Sequence, residues 1–329
     1  MTGSGRRSGG PTLRDVAERA GVGVMTASRA LSNASNVSED KMRRVQEAAA
    51  SLGYRLNENA RSLRPDQRTR LVGVVVTNAA NPYYAQLQVG IEEYLSPRHI
   101  RTLVGSSGDT LERERQLVAD FVGWNVGGFI VVPSGAEHDH LDRLQVPVVL
   151  ASRRIPGAEL DAVLIDDLAG ARAAVRVLTE AGHHRIAFLG LSMSVSTGQR
   201  RLEGFRGALR EAGIEPNDSL IRVGPSTSTP LDAARGLLGR REPPTAVFTA
   251  NNRNTIALLH ALRERDDLDP PRIAGFDNFD TADLMPVRLS LVDHDPVELG
   301  RRAAELLVWR LNGATDDPAV VELPIRLIP

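Results

Sequence analysis

The sequence predicts a small three-helix head followed by an α/β core of two doubly wound parallel sheets. Three observations carry that reading. Residues 12–53 hold three short helical patterns separated by a tight turn and a polar stretch. From residue 71 onward, short apolar runs rich in valine, leucine and isoleucine alternate with helical patterns, as parallel strands joined by crossover helices do. Ten or more such runs are too many for one compact sheet of this kind, so two sheets are expected. The charge is also divided: residues 1–70 carry 13 Lys+Arg against 7 Asp+Glu, a net of +6, while the remainder carries 27 against 34, a net of −7. A basic head on an acidic body fits a protein whose head alone touches a polyanion.

In the head, Thr12 is placed as N-cap of a helix over 13–20, with Asp15 at capping-box spacing. Val16, Ala17 and Ala20 recur at helical intervals, and Gly21-Val22-Gly23 breaks the pattern. A second helix over 24–31 follows at once, with Ala27, Ala30 and Leu31 on one side. Two helices joined by so short a turn cross steeply, as in a helix-turn-helix. Ser38 caps a third helix that carries Met42, Val45, Ala49 and Leu52 and stops at Gly53.

Residues 64–70 form a polar linker in which Pro65 ends whatever helix precedes it. Leu71-Val72-Gly73-Val74-Val75-Val76 is a continuous apolar run, typical of a strand buried on both faces. A turn at 78–82 and a helix over 83–96 follow. Further strands are expected at 101–104, 128–132, 146–150, 162–165, 186–189, 220–223, 246–249, 272–275, 289–292 and 319–323. Helices are expected at 111–122, 168–181, 199–212, 231–238, 255–265 and 297–311, with Asp166 and Asp167 capping the one that starts at 168.

Composition narrows the chemistry. An apolar fraction of 42% supports a sizeable core, and 4% aromatic content means that aliphatic side chains build it. The absence of cysteine excludes disulfides, thiolate metal sites and cysteine nucleophiles. No G-x-S-x-G, H-E-x-x-H or P-loop occurs, so the reading is of a protein that is not an enzyme and takes no metal or cofactor. Residues 1–11 read as a disordered lead-in rather than a signal peptide, because no apolar run follows their arginines. No stretch approaches the roughly 18 apolar residues of a membrane span, and a cytoplasmic location is expected. No heptad tail follows the last strand, so no coiled-coil tetramerisation device is expected.

The head and the segment after it resemble the lactose-repressor (LacI/GalR) family. The matching residues are Thr12-Leu13-x-Asp15-Val16-Ala17-x-x-Ala20-Gly21-Val22, Thr26-x-Ser28-Arg29, Val37-Ser38 and Leu52-Gly53-Tyr54-x-x-Asn57-x-x-Ala60-Arg61-Ser62-Leu63. The core resembles the periplasmic-binding-protein-like part of the same family at Asn81-Pro82-Tyr83-Tyr84, 182–190, Arg201-Leu202-x-Gly204-Phe205, 244–248 and Gly275-Phe276-Asp277. The resemblance implies a helix-turn-helix domain over 12–56, a hinge helix and linker over 57–70, and an effector-binding and dimerisation core over 71–329. It divides the core into two lobes connected by three crossings, the first 71–164 plus 294–319 and the second 165–293 plus 320–329.

The function implied is that of a homodimeric transcriptional regulator, a repressor, which binds a near-palindromic double-stranded DNA operator under control of a small polar effector such as a sugar. Val24, Met25 and Arg29 are the expected base readers: arginine can donate two bonds to a guanine edge, and the other two offer apolar contact. Thr12, Thr26, Ser28, Asn36 and Ser38 suit phosphates. Asn57, Ala60 and Leu63 fall to DNA through the hinge, with Leu63 as a minor-groove wedge. The resemblance places Tyr83, Tyr84, Ser152, Arg153, Val195, Thr197, Arg201, Asn251 and Asp277 around the effector. Read as residues alone, the tyrosines can stack on a ligand or simply pack. Arg201 and Asp277 can bind hydroxyls or pair with each other. Four positions depart from the family pattern: Ser152 and Asn252 replace acidic residues, Val195 replaces a polar one, and His294-Asp295 replaces Gln-Pro.

Overall fold

The computed structural model describes residues 10–31, 37–54, 70–224, 229–265, 269–285 and 287–328, in two compact units divided after Arg68.

The first unit holds α1 (Leu13–Ala20), α2 (Val24–Leu31) and α3 (Glu39–Leu52). The Thr12–Asp15 capping box forms in full, and Gly21 and Gly53 close α1 and α3 at φ 64° and 65°. Those left-handed turns are where glycine is least strained. Val16, Ala17, Ala20, Ala27, Ala30, Val45, Ala48 and Ala49 make the core. Small side chains there let three short helices approach closely. Arg44 donates from Nη2 to the Ala20 carbonyl, 2.6 Å away, so this head arginine serves the fold. Ser38 takes the N-cap position of α3 but makes no side-chain cap bond.

The second unit alternates strand and helix: β1 (Leu71–Val76), α4 (Pro82–Leu95), β2 (Arg101–Ser106), α5 (Leu111–Gly123), β3 (Gly128–Val131), the short α6 (Asp139–Asp142), β4 (Val148–Ala151) and β5 (Asp161–Ile165). Then come α7 (Asp167–Glu180), β6 (Ile186–Leu189), α8 (Ser196–Glu211), β7 (Ile221–Arg222), α9 (Pro230–Leu238), β8 (Ala246–Thr249), α10 (Asn252–Leu262), β9 (Arg272–Phe276) and β10 (Leu289–Asp293). The chain closes with α11 (Pro296–Leu311), β11 (Val320–Leu323) and β12 (Arg326–Ile328).

Among the described residues the strands form two six-stranded sheets, ordered β11-β5-β4-β3-β1-β2 and β12-β10-β9-β8-β6-β7. Pairing is parallel except where β12 runs antiparallel to β10. The first sheet defines a first lobe and the second sheet a second lobe. β11 pairs with β5, which corrects the division expected from the resemblance. Residues 320–323 belong to the first lobe, and only the final strand β12 joins the second. The reason is hydrogen bonding: the open edge of β5 accepts β11 in parallel register from Ala162↔Val320 to Ile165↔Leu323. The chain therefore crosses between lobes after β5, after β10 and between β11 and β12.

Phe188, Phe205, Phe248 and Phe276 are fully buried in the second lobe, which thus takes four of the seven phenylalanines into its core. In the first lobe, α4 and α11 cross through glycines. A Cβ at Gly90 would lie 1.8 Å from the Val297 carbonyl oxygen, and one at Gly300 2.0 Å from that of Leu87. Only bare backbone fits such an approach.

Candidate effector cleft and DNA-reading face

On the head, α2 leaves Val24 and Met25 exposed, at 45% and 69%, while Ala27 and Ala30 on its other side are fully buried. Arg29 is exposed, and Thr26 and Ser28 are half-buried. Exposing a valine and a methionine together has no benefit for the head's own core, whereas an apolar and guanidinium face can read base edges. Thr12 is exposed with its hydroxyl 2.7 Å from Asp15 Oδ2, and Ser38 is exposed at the start of α3. Asn36, Asn57, Ala60 and Leu63 lie outside the described residues.

In the core, strand ends and helix starts meet between the lobes, where loops of parallel sheets converge. Tyr83 and Tyr84 open α4, behind Asn81, whose side chain accepts from the Tyr83 amide at 3.2 Å. The two rings meet edge to face with centroids 4.9 Å apart. The Tyr83 hydroxyl lies 2.6 Å from the Ser152 hydroxyl. Burial pushes the Tyr83 phenol far above its ordinary value, with the Asp277 charge adding to it. Ser152 follows β4 and Asp277 follows β9, both in left-handed backbone, at φ 62° and 65°. Non-glycine residues held there store strain that clusters at binding sites.

Arg201, on α8, is 4% exposed. Its Nε donates to Asp167 Oδ1 at 2.7 Å and its Nη1 to the Ala250 carbonyl, and its guanidinium lies 3.6 Å over the Phe276 ring. Asp277 Oδ1 is 3.6 Å from Nη1. Desolvation works against the charged guanidinium, but Asp167 and Asp277 outweigh it and raise the Arg201 pKa. Burial raises that of Asp167, and Arg201 pulls it back. This corrects the capping role expected of Asp167. Asp166 alone caps α7, accepting from Ala169 N at 3.0 Å. Asp167 turns inward to the arginine instead, and the pairing of Arg201 with Asp277 is its weaker contact.

Arg153 bonds Asp109 at 2.7 Å and the Pro133 carbonyl at 2.8 Å. Val195 and Thr197 are buried at the start of α8, and Asn251 caps α10 through Asn254 N. Tyr84, Arg153 and Asn251 line a cavity of about 570 Å³ between the lobes. Tyr83 and Asp277 line another of about 720 Å³ together with His294. Ser152, Val195, Thr197 and Arg201 line neither cavity. The nine expected residues thus do not share one cavity. The lobes also touch directly. Asn81 and Asn252 exchange two amide hydrogen bonds, at 2.9 and 3.3 Å, and Arg154 N donates to the Ser196 hydroxyl at 3.1 Å. Asn252, noted in the sequence only as a departure, is one half of this buried clasp. An aspartate there could not donate back to Asn81. His183, in the turn before β6, bonds the Thr245 hydroxyl at 3.1 Å and stays away from the cleft.

Comparison with known proteins bears on both surfaces. Residues 12–57 match the family described as bacterial regulatory proteins, lacI family, and residues 175–329 match the periplasmic binding protein-like domain. Catabolite control protein A of Priestia megaterium is 30% identical over 96% of this chain and 97% of its own length. The HTH-type transcriptional regulator GalR of Escherichia coli is 33% identical over 90% of this chain and 88% of its own. The solved transcriptional regulator CelR–cellobiose complex is 30% identical, covers 97% of this chain and 98% of its own, and superposes with a TM-score of 0.71.

Proposed function

This chain belongs to the lacI family of bacterial regulatory proteins and is a DNA-binding transcriptional regulator, and from that premise we propose that it is a repressor, acting as a homodimer on a near-palindromic operator under control of a small polar effector held between the core lobes. One observation supports the DNA half above others: α2 turns Val24, Met25 and Arg29 outward from a fully packed head. The net charge of +6 over residues 1–70 supplies attraction to the phosphate backbone. Thr12, Thr26, Ser28, Asn36 and Ser38 are assigned to phosphates, and Asn57, Ala60 and Leu63 to a hinge contact that rests on the family pattern. For the effector half, the support is polar: Arg201, Asp277 and Thr197 are buried where the lobes meet. The relative solved with cellobiose makes a sugar the first class to try.

The test is selection of duplexes from a random pool by the full chain. A near-palindromic consensus is expected, bound with an affinity that falls steeply with salt. Arg29→Ala should cost about 1–3 kcal/mol and relax preference at one position of each half-site. A pool that never converges, or an Arg29→Ala variant that selects the same consensus with equal affinity, refutes the assignment.

A further inference from the structure

One peptide bond in the first lobe is held from both sides by buried charges. Glu114, on α5, is 0% exposed, the most deeply buried carboxylate among the described residues. The Ser134 amide donates to its Oε2 at 2.6 Å. The carbonyl of the same peptide, that of Pro133, accepts from Arg153 Nη1 at 2.8 Å. A peptide group is planar and trans, so its N–H and C=O point to opposite sides and turn only together. Whatever fixes the N–H toward Glu114 therefore fixes the C=O toward Arg153. The carboxylate is itself held, because its Oε1 lies 3.0 Å from Nε2 of His140, on α6. An acid in the first turn of a helix gains from the dipole while it stays at the surface. That gain does not account for a carboxylate sealed under the loop after β3, where desolvation opposes the charge.

The other side of this peptide faces the cleft. Arg153, 5% exposed, lines the cavity of about 570 Å³ together with Asp109 and Ser134. Its bonds to Asp109 and to the Pro133 carbonyl both leave from Nη1, so the guanidinium is pinned at one corner. Asp109 is a weak post by itself: its side chain is 47% exposed and its backbone is left-handed, at φ 62°. The buried acceptor of the two is the Pro133 carbonyl. The Ser134 hydroxyl, 2.8 Å from that of Ser107, ties down the side chain rather than the peptide plane.

Resting on the effector reading above, we propose that Glu114 is a positioning residue for the cleft: through the Pro133–Ser134 peptide it sets the Arg153 guanidinium that a ligand meets. Glu114 touches no ligand itself. Without the carboxylate, the Ser134 N–H loses its acceptor and the peptide is free to turn. Its carbonyl then leaves Arg153 to Asp109 alone. Glutamine keeps the geometry, because its amide oxygen accepts from the Ser134 N–H and its amide nitrogen donates to the His140 ring.

The experiment is labelling of the ligand-free full chain with phenylglyoxal, an arginine reagent. Tandem mass spectrometry reads Arg153 apart from its exposed neighbour Arg154. Arg201, 4% exposed and in the other lobe, is the internal standard. Wild type, Glu114→Gln, Glu114→Leu and Glu114→Ser are compared. Leucine fills the site and serine opens it to water, so the lost acceptor is tested under opposite packing. A buried arginine reacts through local opening, so losing one bond to a charged group should speed Arg153 labelling by about tenfold in Glu114→Leu and Glu114→Ser. Glu114→Gln should label Arg153 near the wild-type rate, and Arg201 should keep its rate in all four proteins. The proposal is overturned if Arg153 keeps its wild-type rate in a folded leucine or serine variant, if Arg201 speeds up alongside it, or if Glu114→Gln labels like Glu114→Leu. It is also overturned if neither Glu114→Leu nor Glu114→Ser folds, for then Glu114 serves the fold as a whole. Protection of wild-type Arg153 by cellobiose, measured on the same preparations, bears on the effector reading alone, since the other comparisons use no effector.

Discussion

Arg201→Ala should unsettle the fold as well as any ligand. Arg201 and Asp167 are 4% and 3% exposed and are joined at 2.7 Å. Truncating the arginine leaves a carboxylate buried beside the apolar face of Phe276. Removing one partner of a buried ion pair costs about 3–5 kcal/mol, because the remaining charge keeps its desolvation penalty. At about 2–4 °C per kcal/mol for a unit of this size, the melting temperature should fall by roughly 6–20 °C. The double substitution Arg201→Met with Asp167→Leu removes both charges and should restore most of the loss, since apolar replacement of a whole buried pair is often neutral. Asp277→Ala should cost less, because Asp277 Oδ1 makes no hydrogen bond and stands 3.6 Å from Arg201 Nη1, while the arginine keeps its closer partner Asp167; its melting temperature should fall by less than that of Arg201→Ala. Calorimetric melts of the four proteins decide the matter. If Arg201→Ala melts within about 2 °C of wild type, the pair contributes nothing net and the reasoning is wrong.

Gly90→Ala should lower stability by about 1–3 kcal/mol despite the better helix propensity of alanine, because its Cβ meets the Val297 carbonyl at 1.8 Å. Gly236→Ala, in α9 with nothing within 4 Å, should be neutral or raise stability by up to about 1 kcal/mol; urea titrations giving both variants the same sign would dismiss the close-approach argument. Burial holds the His294 pKa below the ordinary 6.5, against the pull of Asp277 and Asp293 and together with the push of Arg201, with Asp167 and Tyr83 also near. Below pH 6.5 the unfolded chain binds a proton there that the folded chain refuses, so this contribution to stability is intact above that pH and is lost as pH falls toward the depressed value. His294→Leu should flatten that part of the stability–pH curve, and an identical slope in both proteins would remove His294 as its source.

Local chemistry made much of this legible in the sequence. The Thr12–Asp15 spacing, Gly21 and Gly53 fix the ends of α1 and α3 with information that lies within a few residues. β1 announced itself because a strand buried on both faces has no polar alternation to imitate a helix. Contacts set by tertiary structure were not legible. Asp167 looked like a helix cap, since nothing near it in sequence identifies Arg201, 34 residues away, as its partner. The Asn81–Asn252 clasp spans 171 residues. β12 is three residues long and follows Pro324, so it has too few positions to show a pattern, and the sheet that receives β11 is decided by which edge is open. The cleft residues came from family likeness, and the partition of Tyr84 and Tyr83 between two cavities is a matter of side-chain direction that likeness does not encode.

The passage of β11 into the first sheet and β12 into the second has a mechanical consequence. Ile165 sits beside Leu323 and Asp293 beside Arg326, so all three strands of chain linking the lobes run next to one another at the same margin of each sheet. They act as close-set pins of a door. Sliding one lobe past the other would stretch at least one pin, and Pro324 stiffens the one between β11 and β12, whereas swinging stretches none. Swing is amplified with distance from the pins. β1, into which the linker from the head feeds, lies four strand places from β11. At about 4.8 Å per place that is a lever arm of roughly 19 Å, so a 10° swing, taken as an illustration, carries the root of the linker by about 3 Å. A molecule that changes the angle by a few degrees near the pins is thereby read out as ångströms at the point where the head is tethered.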